Sequence, residues 1–324
     1  MNSSRNKLAR PNKLTPGVVV FAYHNMGVMA LRTLLDSNVS IHIVITHKDN
    51  PLENIWFKSV AGLCKEKAVP FVYSENYSTE DLFKLIRQYS VSVIFSFYFR
   101  ELIPESILSQ ATLGGVNLHG SMLPKYRGRS PVNWQLINGE TSSGATLHYM
   151  IEQPDAGDII DQVEITIGSD DTPLVLFSKL ESSGKTLLQR SLPSILNGTC
   201  HATPQKETES SYFGGRRPED GKINWFWSAK KLHDLIRGVT RPYPGAFSFL
   251  GSKKVFIWQS NIRNVPKHDQ GLAPGSIHLH QGRLFVMTSD QYVEIKQWQV
   301  GEAGNCSDTN STEFFVSTKS FRNI

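Results

Sequence analysis

Val18-Val-Val-Phe-Ala-Tyr-His-Asn-Met-Gly-Val-Met-Ala-Leu-Arg-Thr-Leu-Leu35 begins as an apolar, β-branched run to Ala22, then passes through Tyr23-His-Asn-Met-Gly27 into an amphipathic pattern over Val28 to Leu35. Strand, turn and helix is the order that fits both periods. The unit recurs: Ile41 to Thr46 precedes Ile55 to Lys67, and Pro70 to Val72 precedes Glu80 to Tyr89. Val91 to Phe95 and Gly115 to Leu118 add short apolar strands. Such alternation predicts an α/β fold: a doubly wound, mostly parallel sheet of the Rossmann-like kind with helices on both faces. Ligands of open sheets of this type bind beyond the carboxyl ends of the strands. Asn117, His119 and the Ser96-Phe-Tyr-Phe-Arg100 segment fall there.

Further along, Ser130 opens a helix with Pro131 at its first position, where a missing N–H does no harm. Gly144 to Met150 and Ile159 to Ile167 read as strands on either side of an Asp155-Ala-Gly turn. Asp171-Thr-Pro caps a long helix from about Leu174 to Leu196, and Gly198 stops it. Residues 198–222 are polar and rich in Thr, Ser, Glu and Gly, the composition of a connection. One helix follows, Ala229 to Gly238. Then come only short strands: Gly245 to Leu250, Lys254 to Trp258, Gly275 to His280, Arg283 to Met287 and Tyr292 to Trp298. Strands that short and numerous predict a small open β-barrel, OB-like in type. The expected division is a flexible tail over 1–16, a main domain over 17–200, a linker over 201–222 and a barrel-like domain over 223–324.

At 324 residues the chain is long enough for two domains and a substantial core, and its 40% hydrophobic content is that of a globular protein. Its apolar runs fall short of the roughly 20 residues of a membrane helix, so no membrane partner is expected. The first sixteen residues are basic and polar and lack the apolar centre of a signal peptide, which points to the cytoplasm. Cys64, Cys200 and Cys306 match neither a metal-ligand spacing nor a disulfide framework, and no histidines pair at metal spacing, so no metal is expected. The net charge of +5 suits an anionic ligand. The basic residues are scattered rather than massed in a stripe, which argues against nucleic acid as partner. A homo-oligomer is compatible with the sequence and not required by it.

Asn117 and His119 stand two apart in Asn117-Leu-His-Gly-Ser-Met-Leu-Pro-Lys-Tyr-Arg-Gly-Arg129, so on a strand their side chains share one face. Pro124 and Gly128 end the strand just beyond them. An asparagine amide can donate to an oxyanion, an imidazole can shuttle a proton near neutral pH, and Asp155 beside that imidazole would orient it and favour its charged form. This set suits acyl transfer between nitrogens, where the substrate's own amine attacks and no nucleophilic side chain is needed. Singly, an Asn or His at a strand end more often satisfies loop backbone, and an Asp in Asp-Ala-Gly more often makes a turn. The joint pattern favours catalysis, without separating formyl transfer from other acylation of an amine. Ser121 lacks the Gly-x-Ser-x-Gly frame of a hydrolase, and neither a dinucleotide fingerprint nor a P-loop occurs. Gly214-Gly-Arg-Arg217 offers two guanidinium forks for phosphates, or is a solvated basic loop. Trp225, Trp227 and Trp258 could stack bases, but core packing is expected for at least two of them.

Asn117-Leu-His119, Ser121-Met-Leu-Pro-Lys-Tyr-Arg-Gly128 and Asp155-Ala-Gly157 resemble the signature of the folate-dependent formyltransferases. Val20 to Gly27, Thr46 to Pro51, Phe95 to Arg100, Asn133-Trp134 and Phe213 to Arg217 are similar to a narrower branch, the formyltransferase of polymyxin resistance. That branch formylates UDP-4-amino-4-deoxy-L-arabinose from 10-formyltetrahydrofolate. The resemblance implies that Asn117 stabilises the transition state, His119 donates and accepts the proton, and Asp155 raises the pKa of His119. It also implies that the folate lies against Glu101, Leu102 and Ile103, near Arg129, and along Ile151, Glu152, Gln153, Pro154 and Asp155. Arg216 and Arg217 are expected at the nucleotide-sugar acceptor. The NAD-dependent decarboxylase of that branch is not within these 324 residues, so a related UDP- or dTDP-4-amino sugar is equally an expected acceptor. Formylation of methionyl-tRNA, and a non-catalytic folate- or RNA-binding role, are the competing expectations.

Overall fold

The computed structural model describes residues 16–264, 271–301 and 320–321. All but the last residue of the tail expected at 1–16, and Cys306, lie outside them. The chain forms two compact units, one of residues 1–128, 144–165 and 179–212, the other of residues 129–143, 166–178 and 213–324.

Seven strands build the first unit's sheet: β1 Gly17–Ala22, β2 Ile41–Thr46, β3 Phe71–Tyr73, β4 Val91–Phe97, β5 Gly115–His119 and, after a short β6 at Arg127–Gly128, β7 Ser142–Tyr149 and β8 Ile159–Thr166. Their order is β3-β2-β1-β4-β5-β7-β8. The pairs from β3 through β5 are parallel, and β5 pairs with β7 antiparallel. All six residues of β1 are buried, as a strand covered on both faces requires. Strand order reverses between β1 and β4, which makes the carboxyl ends there the natural ligand crevice. Val19, Phe21, Ile43, Ile45 and Ile94 belong to the core on one side of this sheet.

The first helix, α1 His24–Asp36, starts four residues before the amphipathic pattern does, and its first residue, His24, has a left-handed φ of 65°. Gly27 lets it come close to the strand: a Cβ there would meet Ala22 Cβ and Val60 Cγ2, both at 3.1 Å. The helix expected over Ile55 to Lys67 is shorter, α2 Val60–Glu66, since the Ser59 hydroxyl accepts from Gly62 N and caps it. Trp56 and Phe57 pack instead on the His24 ring, each 4.5 Å away. Next come α3 Thr79–Ile86, capped by Ser78, and α4 Glu105–Leu108.

The remaining helices are α5 Pro131–Ile137, α6 Pro173–Asn197 and α7 Ala229–Val239, and a short β9, Tyr212–Phe213, pairs with β6. The polar stretch expected to be a linker carries β9 and an antiparallel bridge from Thr203 to Ile159. In the second unit β10 Ala246–Leu250, β11 Lys253–Arg263, β12 Ile277–His280, β13 Arg283–Met287 and β14 Tyr292–Val300 form an antiparallel sheet, ordered β10-β11-β14-β13-β12. Among the described residues β10 and β12 are not paired, so the barrel is open. β11 continues past Trp258 because bulges around Gln259 break the alternation without ending the strand. Trp225 lies in the core beneath this sheet with Leu232, Ile236, Val255 and Ile257, and Trp227 packs against its edge. Trp258 is buried with Phe247 and Phe256.

Candidate active site

β5 ends where Asn117 and His119 emerge on one face, and the register of its neighbours fixes what they meet. Asn117 lies opposite Ser96 of β4 and His148 of β7. Its Nδ2 donates to His148 Nε2 at 3.0 Å and, over a longer 3.4 Å, to Asp155 Oδ1. His148 Nδ1 faces its neighbour's carbonyl, Tyr149 O, at 2.8 Å. A carbonyl only accepts, so the His148 proton is on Nδ1 and Nε2 is free to receive the Asn117 N–H.

The same argument orients His119. Its Nε2 lies 2.8 Å from Tyr126 O, so that nitrogen carries the proton. Nδ1 is left as the basic position, 3.5 Å from Asp155 Oδ1. His119 is buried and Asn117 is half-buried. The imidazole thus has its donor nitrogen committed and its basic nitrogen beside a carboxylate.

Asp155 sits at the centre of the group. Oδ1 faces His119, His148 and Asn117, while Oδ2 accepts the Gly128 N–H at 2.8 Å. Burial alone would raise its affinity for a proton, but the charged forms of His119 and His148, together with the Gly128 N–H, hold the carboxyl well below the usual carboxylate range. Its backbone is left-handed at φ 56°, a conformation that Asp tolerates better than most residues. Two residues on, Gly157 is required by space: a Cβ there would lie 1.9 Å from the Tyr149 carbonyl oxygen.

Glu101, Leu102 and Ile103 follow β4, whose carboxyl end adjoins that of β5. Among the described residues their backbone N–H and C=O groups make no hydrogen bond. Leu102 is 73% exposed. Ile151, Glu152 and Gln153 are likewise exposed, and Pro154 accepts from the Tyr212 hydroxyl at 2.9 Å. These stretches can offer backbone donors and acceptors to a planar heterocycle and apolar surface to its faces. His148 went unread in the sequence because it has no metal partner at helical or hairpin spacing; only the strand register brings it to Asn117.

Arg129, Arg216 and Arg217 belong to the second unit. The Arg129 backbone N–H donates to Phe213 O at 2.8 Å, and its guanidinium lies beside Gly215. Arg216 stacks 4.6 Å above the Trp134 ring and donates to Asp220 O at 3.0 Å. Arg216 and Arg217 line a cavity of about 110 Å³ together with Ser130, Asn133, Tyr243 and Gly245. Arg217 is exposed, and among the described residues neither guanidinium has an ion-pair partner. Such a pair of guanidinium forks is suited to phosphate oxygens.

Residues 18–192 match the family described as formyl transferase, and residues 216–311 match the formyl transferase C-terminal domain. Among solved structures the chain is similar to the N-formyltransferase from Helicobacter canadensis in complex with folinic acid and dTDP-3-aminofucose. Identity is 22% and the TM-score 0.69, over 87% of this chain and 99% of that one. It is similar to WlaRD, a sugar 3N-formyltransferase with dTDP and 5-N-formyl-THF, at 20% identity and a TM-score of 0.64, over 90% and 98% of the two chains. A sugar N-formyltransferase from Shewanella sp. gives 18% identity and a TM-score of 0.59, over 75% and 96%. At these identities the structural likeness establishes a common fold. The first family match alone spans more than half of the sequence, so the chain belongs to the formyl transferase family and is a formyl-transferring enzyme.

Proposed function

We propose that this enzyme moves a formyl group from 10-formyltetrahydrofolate to the amine of a nucleotide-linked amino sugar. A 4-amino sugar on UDP or dTDP fits, UDP-4-amino-4-deoxy-L-arabinose among them. The observation that carries this is the convergence of Asn117 and His119 on the Asp155 carboxylate at the end of β5. The ligands named for the Helicobacter canadensis enzyme and WlaRD, a formylated folate with dTDP or a dTDP-amino sugar, support the same pair of ligand classes. In this reading residues 17–200 bind the folate and carry the chemistry, 201–222 connect, and 223–324 form the smaller domain, in a cytoplasmic enzyme.

The folate, when bound along Glu101 to Ile103, Arg129 and Ile151 to Asp155, supplies the formyl carbon on its N10 nitrogen. His119 Nδ1 takes the proton that the attacking sugar amine loses, and Asp155 Oδ1 stabilises the resulting imidazolium. Asn117 gives up its long contact to Asp155 and donates that N–H to the oxyanion developing on the formyl oxygen. His119 then returns the proton to the departing N10, so the side chains end as they began. Arg216 and Arg217 hold the diphosphate of the acceptor.

The test is release of tetrahydrofolate by the purified protein, given 10-formyltetrahydrofolate and a panel of UDP- and dTDP-4-amino sugars. Turnover with at least one sugar is expected. Losses of about 10² to 10⁴ are expected in Asn117→Ala and His119→Ala. Absence of turnover across the panel, or turnover only with methionyl-tRNA, would overturn the assignment.

A further inference from the structure

Arg127 lies outside the catalytic group, yet its side chain is fully buried. Its Nε and Nη2 donate to Gln205 Oε1 at 3.0 and 2.9 Å, and its Nη1 donates to Glu207 Oε1 and Oε2 at 3.1 and 2.9 Å. The guanidinium carbon stands 5.3 Å from the centre of the Tyr212 ring. A buried guanidinium must be satisfied on every side, so this set of bonds fastens the segment 205–212 onto Arg127.

The same segment grips the loop that carries Asp155. Gln205 Nε2 donates to the carbonyls of Asp155 at 2.8 Å and Gly157 at 2.7 Å. The Tyr212 hydroxyl donates to Pro154 O at 2.9 Å and accepts from Gln153 Nε2 at 3.1 Å. Backbone on either side of Arg127 completes the circuit. Tyr126 supplies the carbonyl that fixes His119, and Gly128 supplies the N–H that fixes the Asp155 carboxylate. Arg127 N donates in turn to Ser211 O at 2.8 Å, and Tyr126 N to Ser211 Oγ at 2.9 Å. One guanidinium is therefore tied by two routes to the two groups whose spacing matters. The left-handed backbone of Asp155 is a conformation that persists only when its surroundings hold it.

We propose that Arg127, acting through Gln205 and Tyr212, is a positioning residue that sets the spacing and aim of the Asp155 carboxylate toward His119. This rests on the roles proposed above for His119 and Asp155. A clamp that merely stabilised the fold would leave the chemistry of the surviving folded enzyme unchanged. A positioning device must alter turnover and the ionisation of Asp155. The groups facing that carboxylate are His119 and Asn117 from β5, His148 from β7 and the Gly128 N–H from β6.

Gln205→Ala and Tyr212→Phe test this, and because Tyr212 is 45% exposed the second change should leave folding intact. In both variants kcat should fall about tenfold to a hundredfold, as expected for a small misplacement of catalytic groups. KM for the folate should rise by less than kcat falls, although Tyr212 and Gln205 also hold the Gln153–Asp155 stretch of the proposed folate loop. The Asp155 carboxyl, followed by its carbon NMR signal and assigned with Asp155→Asn, should begin to take up protons at higher pH than in the wild type. Folded variants with wild-type kcat, a loss confined to KM, or an unmoved Asp155 titration would each overturn the proposal. The titration needs no turnover: a wild type that fails to transfer formyl would sink the functional assignment while this measurement still decides the positioning role.

Discussion

Burial by itself would make Asp155 easier to protonate, and the neighbouring imidazoles and the Gly128 N–H reverse that outcome. The folded state thus holds this carboxyl below its unfolded value of roughly 3.9. A depressed carboxyl contributes stability that is fully present above the unfolded pKa and is lost as pH falls toward the folded one. Thermal unfolding of wild type and Asp155→Asn should therefore show a shift in the variant's favour as pH falls below about 4. A difference independent of pH down to 3 would mean that the carboxylate's charge is not held by its neighbours. Asn117, His119 and Asp155 were legible in the sequence because a two-residue spacing and an Asp-Ala-Gly turn are local patterns. His148 became visible only through the pairing of β5 with β7. Gln205 reaches the Asp155 carbonyl from 50 residues away, and a side-chain bond to a backbone oxygen leaves no trace in residue spacing.

Elements that are apolar and regular follow their sequence patterns; those governed by single contacts depart from them. The short strand at Arg283–Met287 falls where it is expected, and the buried runs of β1 and β4 each extend their patterns by one or two residues. α2 is shorter than its pattern because Trp56 and Phe57 are used against His24 instead of continuing the helix. β11 outlasts its pattern because a bulge shifts the alternation. The turn between β7 and β8 is the element on which the site depends most. Its return passes so close to β7 that Gly157 has no room for a Cβ, and the obstruction is backbone, which cannot rotate away. Gly157→Ala should cost about 1–3 kcal/mol, the usual range for overpacking. It should also lower kcat, because relieving the clash moves the Asp155 loop. Denaturant unfolding and turnover measured on the same preparation check both, and wild-type kcat at reduced stability would separate the turn from the chemistry.

At the scale of the whole chain, charge separates the proposed acceptor from a tRNA. The 34 basic and 29 acidic residues nearly balance, and many of the basic ones are consumed internally. Arg263, Arg283 and Lys296 converge on the buried Glu294, Arg237 pairs with Asp234, and Arg190 pairs with Asp161. Arg216 and Arg217 line one cavity, and two guanidinium groups are enough for a diphosphate. A protein neutralising 6–10 phosphates of a nucleic acid loses on the order of 10³ to 10⁵ in affinity between 50 and 200 mM salt. A nucleotide sugar engaging two guanidinium groups releases far fewer ions and is screened only over a Debye length of about 10 Å. Its KM should rise by no more than roughly tenfold across that range, and Arg216→Ala should flatten the dependence further. Steady-state kinetics at four salt concentrations would decide the matter, since a KM climbing a thousandfold belongs to a polyanion and a shallow one to a diphosphate.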